Sequence, residues 1–329
     1  MTDRIEAAYG GAGWSPRTQS TGDELGRIWR TCGIDSEWRP LRAVLLHCPG
    51  PEWAAIDDPN LAQMLERPYP EVARAEHHAL AEAYRSEGVM VHLVEPAATP
   101  PPNLLFVADL LFSTPEGIIL GRPASTVRAG EECVVAQRLG QLGIPVVGMV
   151  HGTGVFEGAD AMWIDPKTVI LSTGLRTNDE GAGQVIRILQ EMDVNTVVVG
   201  LPFGAMHLMG TFRIVDCDLA FVWSNRVPFK VVETLRAKGF DVRFMPDERE
   251  LIEGSALNLV VAGPRRVLMP AGCPVSQSFY REAGVTCIPV EVGELRKAAG
   301  SIGCMTGVLE RERTQSPRHP DSVSSYWIT

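Results

Sequence analysis

Lys167–Asp216 reads KTVILSTGLRTNDEGAGQVIRILQEMDVNTVVVGLPFGAMHLMGTFRIVD, and the order of its parts decides the fold. The stretch opens on an apolar, β-branched strand, KTVILSTGL, closed by turn residues. A helical run follows over 179–192, with apolar residues at three- and four-residue spacing. NTVVVGLPF then reads as a second strand, so apolar that burial on both faces and an inner, parallel position are expected. After HLMG a third strand hairpins through VDCD into DLAFVWSNR, where the same pattern begins again.

Working outward, the unit recurs with a period of roughly 50 residues. Its first strands are RAVLLHCPG from Arg42, EGIILGRPA from Glu116, KTVILSTGL, DLAFVWSNR and RRVLMPAGC from Arg265. Helices are predicted over 70–87, 126–142, 228–238 and 275–283, two of them ended by RSEG and RAKG, where a glycine suits a left-handed cap. VMVHLVEP, IPVVGMVHG, FDVRFMPD and VTCIPVEV supply the remaining second strands. STPEG, IDPKT and AGPRR supply further hairpin turns. The last unit ends in CMTGVLE with no strand to follow, and RAVLLHCPG lacks a preceding one. Pairing the two closes the repeat on itself and leaves no long sheet edge exposed. A doubly wound open sheet would leave both strands orphaned. One α/β domain over 41–312 is therefore expected, between tail or collar segments at 1–40 and 313–329. CPGPEWAAIDDPN reads as a loop over one end, a lid.

Composition narrows the function. The chain has 329 residues, 21% of them charged, with a formal net charge of −10. Its basic residues are scattered, which argues against nucleic acid as a partner. No segment approaches the roughly 18 apolar residues of a membrane helix. The N-terminus lacks a secretory layout, so a cytoplasmic location is expected. Seven cysteines without a CxxC pair argue against a zinc cluster and a complete disulfide framework. Homo-oligomerisation is left open.

The repeat aligns five tetrapeptides that enter the third strands: FVAD ending at Asp109, EGAD at Asp160, HLMG at Gly210, SALN at Asn258 and SIGC at Cys304. Polar or reactive residues at four of five equivalent positions cost free energy unless they meet one another or a ligand, so a polar central cavity is expected there. Glu157 and His207 open their tetrapeptides and reach the same cavity. Cys304 reads as a nucleophile, with a buried inert thiol as the bland alternative. His207 reads as acid/base, or as a core histidine satisfied by backbone. Asp109, Glu157 and Asp160 either cap hairpins or hold a cation. A planar guanidinium suits them, because its N–H forks match carboxylate oxygens in pairs. A divalent metal on Asp109, Glu157, Asp160 and His207 is the competing use of these residues and leaves Cys304 unexplained. No metal and no cofactor is therefore expected.

FVADLLF, EGAD, HLMG, ALNLVVAG and GSIGCMTGVL, in that order, resemble the pentein superfamily of guanidine-modifying enzymes, which includes dimethylargininases, arginine and agmatine deiminases and amidinotransferases. The resemblance implies a five-bladed α/β propeller of ββαβ-type repeats and attack of a cysteine on a guanidinium carbon. Carried over, it makes Cys304 the nucleophile and His207 the acid/base, with Glu157 beside them. Asp109 and Glu157 would bind the guanidinium, and Asp160 would stand closer to structural support. RPASTVRAGE and GLRTN point to Arg128 and Arg176 as holders of a substrate carboxylate near the cavity mouth. Three departures bear on substrate. Met209 stands where deiminases and amidinotransferases carry a second acid, Asn103 where a dimethylargininase-like acid grips the substrate amino group, and Ala108 in place of a charged residue. The implied activity is conversion of arginine or an N-methylated arginine to citrulline and an amine. An amidinotransferase and a guanidine-binding propeller without turnover are the alternatives.

Overall fold

A computed structural model describes residues 5–314. The expected tail at 313–329 lies outside the described residues from 315 on.

The repeat appears as five three-stranded sheets of one pattern. Strand β1 (Leu41–Leu46) pairs in parallel with β2 (Met90–Leu93). β3 (Leu111–Thr114), β4 (Gly117–Leu120) and β5 (Val146–Met149) form the next sheet. β6 (Ala161–Asp165), β7 (Thr168–Thr173) and β8 (Asn195–Gly200) form the third, and β9 (Phe212–Asp216), β10 (Leu219–Val222) and β11 (Asp241–Phe244) the fourth. β12 (Val260–Gly263), β13 (Arg266–Pro270) and β14 (Thr286–Val290) form the fifth. β15 (Gly307–Arg311) returns to β1 and pairs antiparallel with it, Val44 opposite Val308 and Leu41 opposite Arg311. The pairing expected between the chain's two orphan strands is thus present.

In each sheet the first strand of a unit lies in the middle, between an antiparallel partner, joined to it by a hairpin in all but the β15–β1 pair, and a parallel one reached through a helix. The helices are Pro70–Ser86, Glu131–Leu142, Asp179–Glu191, Phe229–Ala237 and Pro274–Glu282. They start where the caps dictate: the Asn178 side chain accepts from Gly181 N at 2.8 Å, a cap worth about 1 kcal/mol. The middle strands carry the core, with Ile118, Ile119, Val169, Ile170 and Leu171 all fully buried. Each such side chain contributes roughly 1.5–3 kcal/mol by leaving water.

The expectation that the second strands lie innermost is corrected. β2, β5, β8, β11 and β14 are the outer edges and are half exposed along most of their length, whereas β3, β6 and β9 are buried almost throughout. The second strand pairs on one side only and packs its other surface against a helix, which also rewards an apolar sequence. The third strands instead meet one another. Trp163 Nε1 of β6 donates to Ser113 O of β3 at 3.0 Å, and Ser113 Oγ donates to Val308 O of β15. Arg311 of β15 donates to Val261 O of β12 at 2.7 Å, and Arg213 Nε of β9 to Leu257 O, before β12, at 3.2 Å. Leu208 N, before β9, donates to Asp160 Oδ1, before β6, at 3.1 Å. Five links therefore lead from β3 round to β3 again. Residues 32–36 are buried beneath the sheets rather than free, with Cys32 and Ser36 inaccessible to solvent.

Candidate active site

Four of the five signature tetrapeptides lie in a short helical turn at the entrance of a third strand: Val107–Asp109 before β3, Gly158–Asp160 before β6, Leu208–Gly210 before β9 and Ile302–Met305 before β15. Of the aligned residues, Asp109, Gly210, Asn258 and Cys304 line the cavity, and Asp160 does not. The turns approach closely. A Cβ on Gly158 would lie 2.1 Å from Leu111 O, so only glycine lets the second turn pack against the first.

Asp109, Glu157, His207 and Cys304 converge, each no more than 9% exposed. His207 Nε2 lies 2.6 Å from Glu157 Oε2 and 3.6 Å from Asp109 Oδ1. Burial alone would lower the imidazole pKa, but the Asp109 charge, the Glu157 hydrogen bond and charge, and the Asp160 charge outweigh it and push it up to about 10. Burial would raise Glu157; the His207 hydrogen bond and charge, with Arg128 and Arg176, overcome that and hold the carboxyl down at about 2. A buried imidazolium–carboxylate pair results. The Cys304 thiol is held from one side by Asn258, whose Nδ2 donates to Sγ at 3.0 Å and whose Oδ1 accepts from Cys304 N at 3.2 Å. A Cβ on Gly303, the residue before Cys304, would come within 2.2 Å of Arg213 Nη2 and 2.6 Å of Asn258 Oδ1, so a larger residue there requires those side-chain ends to move.

Cys304 and His207 stand where a cavity forks. The small lobe, about 20 Å³, is lined by Asp109, Arg128, Arg176, Asn103, Gln63 and Phe106, room for a single water. The large lobe, about 350 Å³, extends past Met209 toward Trp223. Gln63 and Leu65, just past the segment expected as a lid, line the small and the large lobe, whereas no residue of 48–60 lines either. Leu65 N and Glu66 N are anchored to Lys297 O at 2.8 and 3.1 Å.

The other residues expected at the site fall into two groups. Arg176 lines the cavity, its Nη1 3.4 Å from Glu157 Oε1. Asn103 is buried, donates to Ala62 O at 2.8 Å and turns an unpartnered Oδ1 into a region it shares with the small lobe. Met209 is half-buried in the wall of the large lobe. Two placements differ from expectation. Arg128 is not at the mouth but 2% exposed. Its Nη1 donates to Asp109 Oδ2 at 2.6 Å, its Nε to Glu131 Oε2 at 2.9 Å and its Nη2 to Phe106 O at 3.3 Å. Those carboxylates draw it inward, since an unpaired buried acid is costly; burial still raises Glu131 to about 7 against the pull of Arg128. Asp160 does not line the cavity, and so is no substrate ligand in this geometry. Its oxygens accept from Ser172 Oγ at 2.8 Å, Thr177 Oγ1 at 2.7 Å and Leu208 N at 3.1 Å, which fixes the turn that carries His207. Asn258, Gln63 and the Ala298–Gly300 turn were not singled out as site residues. Only Asn258 had a signal, its place in the aligned layer.

Asp109, Glu157 and His207 offer three ligand atoms close enough together for a metal ion. The guanidinium of Arg128 on the same two acids and Arg176 beside them already neutralise that charge, which favours planar N–H donors over a divalent ion. One acceptor stays unmatched. Asp109 Oδ1 is buried and has no hydrogen-bond partner, an arrangement that costs about 1–3 kcal/mol unless a donor arrives.

The chain matches the N,N-dimethylarginine dimethylhydrolase family in its eukaryotic form over residues 60–310. It is 28% identical over 241 residues to the N(G),N(G)-dimethylarginine dimethylaminohydrolase of Pseudomonas aeruginosa, covering 72% of this chain and 89% of that protein. Among solved structures, the substrate-bound N-terminal domain of ArgZ, a cyanobacterial arginine dihydrolase, superposes with a TM-score of 0.71 at 18% identity, covering 82% of this chain and 98% of that one. SxtG, an amidinotransferase from Microseira wollei, superposes with a TM-score of 0.69 at 16% identity, covering 90% and 99%. These two likenesses establish the fold alone.

Proposed function

Since the chain belongs to the N,N-dimethylarginine dimethylhydrolase family, and through it to the pentein superfamily, we propose that it hydrolyses arginine or an N-methylated arginine to citrulline and an amine. The observation that carries the reading is Asp109 Oδ1, a buried carboxylate oxygen without a hydrogen-bond partner, in a residue that lines the cavity together with Cys304 and His207. A guanidinium N–H supplies that donor. Pairing also concentrates positive charge on the guanidinium carbon and readies it for attack.

The Cys304 thiolate bonds to the guanidinium carbon. The C–N bond to the leaving amine then breaks, and the amine takes a proton from the His207 imidazolium. Water adds to the amidino adduct and His207 accepts one of its protons; the C–S bond then breaks to return the thiolate, and the added oxygen releases its second proton to solvent to leave the urea group of citrulline. Asp109 and Glu157 hold the guanidinium, Arg176 the α-carboxylate, and Asn103 and Met209 tune the fit. The five sheets act as the blades of a propeller around this cavity. Residues 41–312 form its one catalytic domain, with 1–40 as a collar.

An amidinotransferase shares the first half of this sequence. The large lobe beside Cys304 favours that second reading, because it has room for an acceptor amine. Mass spectrometry of acid-quenched enzyme mixed with arginine and methylated arginines tests the common step: an added amidino mass on the Cys304 peptide is expected, and its absence with every guanidine overturns the reading. Adduct decay in water alone then identifies a hydrolase, and decay only on adding an amine a transferase.

A further inference from the structure

The two lobes differ in chemistry as well as size. The small one is polar and tight, with Asp109, Arg128, Arg176 and Asn103 around room for about one water. The large one is walled by Met209, Trp223, Leu251, Ile252 and Leu257 and has no carboxylate in its lining. Its volume of about 350 Å³ equals roughly a dozen waters, of which a dimethylamino group would fill about a quarter.

A guanidinium carbon poised at Cys304 carries three nitrogens in a plane. One joins the arginine chain, and one is held by the carboxylates on the small-lobe side. The third faces the fork's other branch, where no acid waits for its N–H groups. On this basis, which rests on the proposed hydrolase or transferase reading, we propose that the large lobe is the subsite for the substituent of the departing nitrogen, and that it takes a neutral alkyl or aryl group larger than methyl. Neutrality follows from Arg226, which lines the lobe with its guanidinium 4.6 Å from the Trp223 ring centroid, whereas Glu248, the carboxylate that senses its charge, accepts from Trp223 Nε1 at 3.2 Å and does not line the lobe. A cationic substituent would meet that charge. Apolar contact is available at the rim too, where Ile252 is 58% and Leu65 74% exposed.

The test is single-turnover release of amine, a step common to hydrolysis and amidino transfer, from Nω-methyl-, Nω-propyl-, Nω-benzyl- and Nω-aminopropyl-L-arginine. Each buried methylene is worth roughly fourfold, so the propyl compound should exceed the methyl one by at least about tenfold in kcat/KM, with benzyl at or above propyl. The aminopropyl compound should fall at or below methyl. Ile252→Trp, at an exposed position on the lobe's rim, should cut the propyl-to-methyl ratio about tenfold; an unchanged ratio in the folded variant counts against the lobe. The wild-type panel decides even if that variant misfolds. Release of methylamine with no gain for propyl or benzyl overturns the subsite and leaves the proposed function standing. No amine release and no Cys304 adduct from any guanidine overturns both.

Discussion

Replacing Glu157 with glutamine keeps the side chain's shape and removes its charge. In the wild-type chain Glu157 Oε2 lies 2.6 Å from His207 Nε2, which sets the two charge centres about 4 Å apart. At an effective dielectric constant of about 20 that distance corresponds to ~4 kcal/mol, or roughly 3 pKa units. His207 is pushed up to about 10, so in Glu157→Gln it should titrate well below the wild-type value, with Asp109 and Asp160 still favouring its charge. An NMR titration of the imidazole carbon signals measures this directly. Amine release, which needs the imidazolium, should then fall off about 3 units earlier on the alkaline side. A His207 that titrates within about one unit of the wild-type value would refute the electrostatic account of the pair. Stability follows the same groups. Glu157, lowered from 4.5 to about 2, contributes stability that is present above 4.5 and lost as pH falls through about 2. His207, raised from 6.5 to about 10, contributes stability that is complete below 6.5 and lost as pH rises through about 10. The Tm difference between wild type and Glu157→Gln should be widest between those two ordinary values and shrink on either side.

Cys304→Ser should abolish turnover and keep arginine binding by calorimetry, because a hydroxyl is a poor nucleophile at neutral pH while the carboxylates remain; more than a few per cent residual rate would exclude Cys304. Arg176→Ala should raise KM for arginine far more than for agmatine, which lacks the carboxylate. Arg128→Ala should instead lower the urea midpoint by the equivalent of roughly 3–5 kcal/mol, since it strands Asp109 and Glu131 as buried acids; a selective KM effect with unchanged stability would return Arg128 to carboxylate binding. Met209→Asp should move the kcat/KM ratio from methylated toward free arginine by about tenfold or more, the value of a charge-assisted hydrogen bond; an unchanged ratio in an active variant makes Met209 a filler of volume. Asn258→Ala should lower kcat about tenfold or more through loss of the bond to Sγ, and a full rate in that variant would refute the support.

The order strand, helix, strand, strand is legible in the residues because each element buries one face and announces it by spacing, and because hairpin turns have their own chemistry. The pairing of β1 with β15 is legible for a related reason: two apolar strands each lacked a neighbour. The depth of the second strands is not. VVVG in β8 is as apolar as a core strand, yet it is an edge whose alternate residues are half exposed, since a strand beneath a helix and a strand between two sheets demand similar side chains.

At the site the residue types and their common layer are written in the chain, and the four convergent groups follow from that repetition. Their division of labour is not. Glu157 and Asp160 belong to one tetrapeptide, but Ser172 of β7, Thr177 after it and Leu208 before β9 close round Asp160 and leave Glu157 to His207. Arg128 and Arg176 sit in similar positions after first strands, but Glu131, three residues on, anchors Arg128 in the interior beside Asp109. The fork in the cavity, with one lobe polar and one apolar, is lined by turns and loops far apart in the chain, from Gln63 to Cys304. A sequence determines which groups a chain can bring to one place, because local spacing sets the elements and the repeat sets their register. Which of those groups spends its hydrogen bonds on the protein and which keeps one for a ligand depends on neighbours distant in sequence, and only the folded chain decides it.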